Sequence, residues 1–495
     1  MAKTFFITGA TGLLGSSIAQ RLLRDSNRII FLARSKDKIS AYDRIIDAIS
    51  FWGNKPDISR NHRIDVIEGD VDAKNFGLSK SDISLVKDSS PALIHCSACT
   101  SFDERNREAT FKTNLEGTHN LLELAIETNC RELNYVSTAY VAGDTDRRFF
   151  EDDLDMSQKF NNSYEESKFE AEKLLRHFHN KTNISLNVFR PSIIMGDSVC
   201  GKTFNFNGLY TYIRAISAIG KKYSCKDGKI PLRLECNKNT VKNIVPVDFV
   251  SRAVSEIVKS ESERGLRTYH LTNPNPPTLE RLNSTLHEIL GLAKLDLISE
   301  SGNGEKCLSK REMLLKNSIS AYRPYLFNEP ELDLSQTSFI LKEKGVLFPS
   351  TDKKYFFLII NYFMNTLGKE LNLCTSLINN FEIMMNAYIG KEVIPGLSSL
   401  TQEFVLTLKD TCKSYRIKIE NGRLKAFDFN IPERTCFRFI TSSATFENLL
   451  ETKIRPQDAF FKKKIEIEGS VIEALSLSTV FEKFFQIFRE QMNAA

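Results

Sequence analysis

Along about the first 200 residues, short apolar runs alternate with stretches whose apolar residues recur every three or four positions. "KTFFITGA", "RIIFLA", "RIDVIEGD", "PALIHCSA", "ELNYVST" and "SLNVFRPS" have the length and continuity of buried strands. Between them, "SSIAQRLLR" repeats through Ile18, Leu22 and Leu23. "DKISAYDRIIDAISFW", "TNLEGTHNLLELAIETN" and "NNSYEESKFEAEKLL" have the same helical spacing. Strands that are apolar on both faces need helices on both faces, so the alternation predicts an α/β fold with a doubly wound parallel sheet. Further on, "NIVPVDFVSRAVSEIV" predicts a strand-like entry and a helix.

The period changes after about residue 375. "EFVLTLKD", "SYRIKIENGRLKAF" and "KKKIEIEG" alternate apolar and polar positions, and Glu420-Asn421-Gly422 is a hairpin signal. "TFENLLETKI" and "RPQDAFFKK" predict short helices, and "VIEALSLSTVFEKFFQIF" a final amphipathic one. The expectation is a second, α+β domain.

Composition narrows the classes. Sixty-seven basic residues against sixty-two acidic ones, with no basic block, give a nucleic-acid partner no support. Thirty-five Phe against one Trp suit large cores or an apolar ligand. Cys96 and Cys99 have C-x-x-C spacing, but no helix start or second pair accompanies them, so two small residues closing a strand is the simpler account. The N-terminus reaches glycines too early for a secretory signal. The longest apolar run, "YFFLIINYFM", is too short to span a bilayer and contains Asn361. The chain ends "QMNAA", which is no peroxisomal address. No transmembrane segment and a cytoplasmic location are expected.

The first candidate chemistry is "TGATGLLG", between the first strand and the first helix. Gly9, Gly12 and Gly15 let backbone approach a pyrophosphate, and Thr11, Leu13 and Leu14 lie where the helix N-terminus offers free N–H groups and a positive dipole end. A tight turn alone would also use glycines, but its place at a strand-to-helix junction favours a dinucleotide. After the second strand, where an acidic residue would hold the ribose of NAD, stands Arg34, with Arg44 two helical turns on. A guanidinium suits the 2′-phosphate of NADP, so NADP(H) is the expected cofactor.

The second is Tyr164 and Lys168. Four residues apart on a helix, they share a face with Ala171 and Leu175. A nearby ammonium favours a phenolate and is expected to lower the phenol's titration point. The same spacing arises in any amphipathic helix, so the pair gains meaning only from its surroundings.

Those surroundings carry a resemblance. "TGATGLLG", "GDV", "HCSA", "TNLEGT", "VSTAYVAG", "YEESK" and "RPSIIMGDS" occur in the order seen in extended short-chain dehydrogenase/reductases. Through "FLAR", Arg44-Ile-Ile, "STAYVAG", "RPSIIMGDSVCGKTFNFNGLY" and "NIVPVDFV", the chain is most similar to the fatty acyl-CoA reductase and thioester reductase branch, over about residues 1–365. The resemblance implies a Rossmann sheet and a catalytic set of Thr138, Tyr164 and Lys168, in which Tyr164 is the general acid and Lys168 also reaches the nicotinamide ribose. It implies that Asn114 supports the active-site helix, that Asp70 and Val71 touch adenine, that Ser97 and Ala98 border the cofactor, and that Pro191 and Ser192 lie near the nicotinamide. Asn114 and Asp70 would also serve as local caps, and Pro191 as a strand end. A strand alternates faces, so Ser137 and Thr138 cannot both meet the substrate.

"QDAFF", "KIEIEG" and the closing apolar helix resemble the end of a sterol carrier protein-type lipid-binding domain, over about residues 385–490. A structural cap or dimerisation domain would share that pattern. The expected organisation is an NADP-binding reductase domain over 1–300, with its smaller substrate-binding part mainly in 195–300. A helical extension or linker over 301–374 and the sterol carrier protein-like domain over 375–495 follow. The resemblance implies NADPH-dependent reduction of a fatty acyl thioester, on coenzyme A or acyl carrier protein, to aldehyde or alcohol. A hydroxysteroid or other alcohol dehydrogenase, a nucleotide-sugar epimerase, and a non-catalytic lipid-binding protein are the alternatives. Arg34 counts against the epimerase, and the intact Thr-Tyr-Lys set against the non-catalytic protein.

Overall fold

The computed structural model describes residues 3–25, 27–53, 63–182, 184–223, 233–260, 265–290, 295–299, 309–371, 377–392, 398–409, 413–428, 437–469 and 478–494. The chain divides into two compact units, Met1–Phe363 and Met364–Ala495.

The first unit follows the alternation: β1 (Thr4–Thr8), α1 (Leu13–Arg24), β2 (Arg28–Ala33), α2 (Ala41–Ser50), β3 (Ile64–Glu68), α3 (Lys80–Ser89) and β4 (Ala92–His95). Next come α4 (Arg107–Phe111), a π-turn at Lys112–Glu116, α5 (Gly117–Glu127), β5 (Glu132–Val136), α6 (Ser163–Thr182) and β6 (Ser185–Pro191). The sheet has the order β10-β6-β5-β4-β1-β2-β3, where β10 is Leu266–Leu271, and every pairing is parallel. Strand order reverses between β1 and β4, which opens a crevice at their carboxyl ends. Ile18, Ala19 and Leu22 of α1 and Ile45 and Ile49 of α2 cover one face. Leu121 and Leu124 of α5 and Ala171 and Leu175 of α6 cover the other.

The expected substrate-binding part, 195–300, is not one block. Smaller pieces do form there: β7 (Ile193–Met195) pairs with β9 (Ile244–Pro246), and β8 (Arg233–Glu235) with β11 (Asp296–Ile298). The helix α7 (Leu209–Tyr223) precedes β8. The helix α8 (Val247–Lys259), however, packs Phe249, Val250, Ala253, Val254 and Ile257 into the α1 face of the main core. β10 is the seventh strand of the main sheet. The physical reason is area: α8 has too broad an apolar face to leave outside the largest core available. Two further helices, α9 (Leu279–Leu290) and α10 (Lys310–Ser318), lead to single turns at Ser320–Tyr322 and Pro324–Leu326, then to α11 (Ser335–Glu343) and α12 (Lys353–Leu371). The run "YFFLIINYFM" lies in α12, and among the described residues no helix is long and apolar enough to cross a membrane.

The second unit opens with α13 (Leu377–Tyr388) and has a five-stranded sheet in the order β14-β13-β12-β15-β16. These strands are β12 (Gln402–Leu408), β13 (Lys413–Glu420), β14 (Arg423–Asp428), β15 (Phe437–Thr441) and β16 (Ile465–Gly469). Asn421 and Gly422, with φ of 50° and 73°, make the hairpin turn that the sequence signals. Phe381, Phe404, Phe427, Phe446, Phe484 and Phe488 gather in one core, which accounts for part of the Phe content. The start of the predicted last helix, 471–477, lies outside the described residues; the helix is seen over Ser478–Ala494.

Candidate functional site

The glycine turn is dictated by sterics. Gly9 has φ +73°, and a Cβ there would lie 2.5 Å from the Ser97 nitrogen. A Cβ on Gly15 would lie 2.4 Å from the Gly9 carbonyl oxygen. Gly12 caps α1 with no side-chain hydrogen bond, so no side chain competes for the first-turn N–H groups around Leu13 and Leu14. Gly12 itself is exposed and Thr11 half-buried. Below the turn, the Thr8 hydroxyl and His95 Nδ1 are 2.9 Å apart, joining β1 to β4 at the switch point. This backbone cradle fits a dinucleotide pyrophosphate.

Arg34 follows β2 and donates from Nη1 to Asp70 Oδ2 at 3.0 Å, with 61% of its side chain exposed. The Arg44 Nη1 donates to the Arg34 carbonyl oxygen, which places a second guanidinium beside Arg34. Asp70 also accepts the Asp72 N–H. Val71 is buried in the core beneath α5, with its carbonyl oxygen accepting from Asn120. Ser97 and Ala98 are half-buried after β4, against the glycine turn.

Tyr164 stands in the first turn of α6, half-buried. The Thr138 hydroxyl lies near enough to the phenol to favour its ionised form. Thr138 is held by its own turn, its Oγ1 accepting the Tyr140 N–H at 3.3 Å. Ser137, one place earlier, has its hydroxyl buried without a partner, so of the two Thr138 is the residue that meets Tyr164.

One expectation is overturned. The Tyr164 phenol is not lowered: burial pushes it up to about 12, against the effect of Thr138. Lys168 is turned elsewhere. Its Nζ donates to Tyr135 Oη and to the Val136 carbonyl oxygen, both at 2.7 Å, and lies 4.0 Å from the Tyr135 ring centre. Burial lowers Lys168 to about 7, while the Glu172 carboxylate one turn along α6 opposes the fall. An ammonium has three donors, so one is left for a further acceptor.

Asn114 lies in the π-turn, a local irregularity common at functional sites. Its Oδ1 accepts the Cys99 N–H at 2.8 Å, and its Nδ2 donates to the Cys99 carbonyl oxygen and to Ser167 Oγ. It thereby ties the loop after β4 to α6 at Ser167, next to Lys168. Pro191 ends β6, and the Ser192 hydroxyl is committed to Asn243 Oδ1 at 2.7 Å. Cys96 and Cys99 are free thiols, and among the described residues no group of His, Cys, Asp or Glu is placed to hold a metal ion.

Several residues around this site escape sequence reasoning. Tyr135 carries Lys168. Arg190 and Glu172, both fully buried, pair at 2.7 Å behind it. Phe102 meets the Tyr164 ring, and Tyr322 and Tyr325 pack against Phe102. A signal exists for some: Glu172 is four residues after Lys168, and "YRPYLF" concentrates aromatics in an otherwise polar stretch.

The family model described as male sterility protein matches residues 7–254, and that of the SCP-2 sterol transfer family matches 392–482. A nonribosomal peptide synthetase of Aspergillus flavus is 29% identical over 337 residues, 65% of this chain and 31% of that protein. A carboxylic acid reductase of Mycobacterium marinum is 25% identical over 292 residues, 55% of this chain and 24% of that one. The chain thus spans less than a third of either. The protein named "Putative fatty acyl-CoA reductase" in Drosophila melanogaster is 24% identical over 468 residues, covering 77% of this chain and 87% of its own length. Among solved structures, the terminal R domain of the myxalamid PKS-NRPS pathway superposes with a TM-score of 0.61 at 22% identity, over 76% of this chain and 92% of that one. That likeness shows the fold.

Proposed function

We infer the function from one premise: the chain belongs to the male sterility protein family. We propose that it is an NADPH-dependent reductase of fatty acyl thioesters, carried on coenzyme A or acyl carrier protein, with an aldehyde or alcohol as product. The observation that carries this reading is the tie that Asn114 makes between the loop after β4, which borders the glycine turn, and the helix carrying Tyr164 and Lys168. The Drosophila relative's name and near-full-length match support the substrate class.

When bound, the nicotinamide supplies hydride to the thioester carbonyl carbon. Tyr164, holding its proton far above neutral pH, donates to the carbonyl oxygen as negative charge develops there. Thr138 turns its single O–H from the phenol to the same oxygen, so two hydroxyls meet the charge. Collapse then returns the oxygen's proton to Tyr164, breaks the C–S bond and releases the aldehyde and a thiolate, which takes a proton from solvent. Lys168, fixed by Tyr135 and Val136, has its third N–H for the nicotinamide ribose. Asn114 keeps α6 in register with the cofactor loop. The protein incubated with NADPH and acyl-CoAs of graded length should consume NADPH and yield aldehyde or alcohol by mass spectrometry. Consumption with a ketosteroid or sugar nucleotide instead would replace the reading.

Arg34 is proposed to hold the 2′-phosphate of NADPH, exchanging its Asp70 partner for it. A charge-assisted hydrogen bond is worth about 1.5–3 kcal/mol, so Arg34→Ala should weaken NADPH by about tenfold or more and leave NADH unchanged. Titration of both nucleotides decides it; equal loss for both would remove Arg34 from 2′-phosphate recognition.

The second unit is proposed to hold the fatty chain or fatty acyl-CoA, supported by its match to the SCP-2 family and its Phe-rich core. Deleting 375–495 should raise KM for long-chain acyl-CoA and spare short ones. An unchanged long-chain KM would leave the unit a structural role.

A further inference from the structure

Segments distant in the chain build a cluster of rings that reaches Tyr164 through Phe102. Phe102, from the loop after β4, lies 5.7 Å from the Tyr164 ring at an interplanar angle of 29°. Tyr322 and Tyr325, from the two turns after α10, lie 5.5 Å and 5.7 Å from Phe102. Tyr140, two residues after Thr138, meets Tyr325 edge-on at 5.4 Å. Phe102 and Tyr322 are half-buried and keep open ring surface, whereas Tyr140 and Tyr325 are buried and form the back wall.

The hydroxyls of these tyrosines are occupied by the protein. Tyr325 donates to Glu165 Oε1 and accepts from Asn162 Nδ2. Tyr140 donates to Glu329 Oε1 at 2.7 Å, and the other Glu329 oxygen is paired with Lys242 at 3.0 Å. Tyr322 accepts the Gly208 N–H at 3.2 Å. Glu165 is in turn held by the Asn161 N–H. With these polar ends tied into the protein, the rings form an apolar cluster that reaches the Tyr164 ring through Phe102.

We propose that Phe102, Tyr140, Tyr322 and Tyr325 form the seat for the hydrocarbon next to the substrate carbonyl, and that Glu165, by holding Tyr325, sets how wide an acyl group enters. The inference rests on the reading of the site as a thioester reductase. A thioester carbonyl hydrogen-bonded to Tyr164 has two substituents. The thiol arm of coenzyme A or a carrier carries several amides that need partners, and the buried Tyr140 and Tyr325, whose O–H groups go to Glu329 and Glu165, offer them no donor. A methylene chain needs only ring faces. With Phe102 against Tyr164 and backed by Tyr322 and Tyr325, the seat takes an unbranched chain and crowds a methyl branch beside the carbonyl. The substrate wall is thus built by the extension after α10, and "YRPYLF" is the specificity segment.

The test is the ratio of kcat/KM for hexadecanoyl-CoA to that for 2-methylhexadecanoyl-CoA, in the full chain and in Phe102→Ala, Tyr322→Ala and Tyr325→Phe. One methyl group in a tight pocket is worth about 10–200-fold, so the ratio should fall by about tenfold or more in the two alanine variants. It should fall less in Tyr325→Phe, which frees the ring from Glu165 and keeps its bulk. NADPH affinity should stay unchanged in all three. A constant ratio, with both substrates losing activity together, would overturn the proposal. Should the wild type reduce no acyl-CoA, the previous reading fails, and the seat is judged by calorimetry with a non-reacting hexadecyl-CoA thioether. Weakened binding in the alanine variants then supports it, and unchanged binding removes it.

Discussion

Tyr164→Phe is expected to lower kcat for acyl-CoA reduction by about a thousandfold, within the 10²–10⁴ range of a positioned general acid. The change removes one oxygen and keeps the ring stacked on Phe102, so the loss reports the hydroxyl. The phenol's value of about 12 gives the direction of its role: it is protonated throughout the physiological range and acts as a donor. The profile of kcat against pH should therefore have no limb from Tyr164 between pH 5 and 9. NADPH affinity should stay within about twofold, because the Lys168 ammonium proposed to meet the ribose is fixed by Tyr135 and Val136 instead. Single-turnover kinetics with stopped-flow NADPH fluorescence separate the two quantities. A variant that turns over at the wild-type rate would leave Thr138 as the sole donor and end this mechanism.

Much of this frame is legible in the order of the residues. The period of the apolar residues implies the parallel sheet, since strands apolar on both faces have no other stable home. The glycine spacing locates the cradle because Gly9 and Gly15 sit where a Cβ would strike backbone. The Tyr164–Lys168 spacing puts both side chains on α6. What is not legible depends on burial and on distant partners. An ammonium near a phenol should lower it, but the outcome is set by the desolvation around Tyr164 and by Tyr135 accepting from Lys168, and a tyrosine in an apolar strand looks like any core residue. The return of α8 and β10 to the main sheet is a pairing choice between segments about 80 residues apart, with nothing local to mark it. Tyr325 meets Glu165 across 160 residues, so only the folded chain joins "YRPYLF" to "YEESK". The β12–β13–β14 meander is legible because alternation and an Asn-Gly turn are both local, whereas β15 slots in parallel beside β12.

The other large effect concerns what holds α6. Arg190, immediately before Pro191, is fully buried and donates from Nε and Nη2 to Glu172, also fully buried. Its remaining donors go to the carbonyl oxygens of Glu151 and Asp153 and to His270 Nε2. His270 Nδ1 lies 2.7 Å from the Asp333 carbonyl oxygen, which can only accept, so the proton is on Nδ1 and Nε2 is free to accept from Arg190. Burial, with the Arg190 charge, lowers His270 to about 3, so it is neutral and stays an acceptor at any pH where the protein is used. Arg190→Met keeps much of the apolar stem but leaves the Glu172 carboxylate buried, unpaired and one turn from Lys168. Removing one partner of such a pair costs about 3–5 kcal/mol, whereas replacing both by apolar residues is often close to neutral. Arg190→Met should therefore lower the urea midpoint sharply, and Arg190→Met with Glu172→Met should recover part of the loss. Trp52, the sole tryptophan, donates from its ring nitrogen to Ser16 on α1 and so reports the first unit alone. A single variant within about 1 kcal/mol of wild type by Trp52 fluorescence would show that water reaches Glu172, and that the pair does not fix the helix carrying Tyr164 and Lys168.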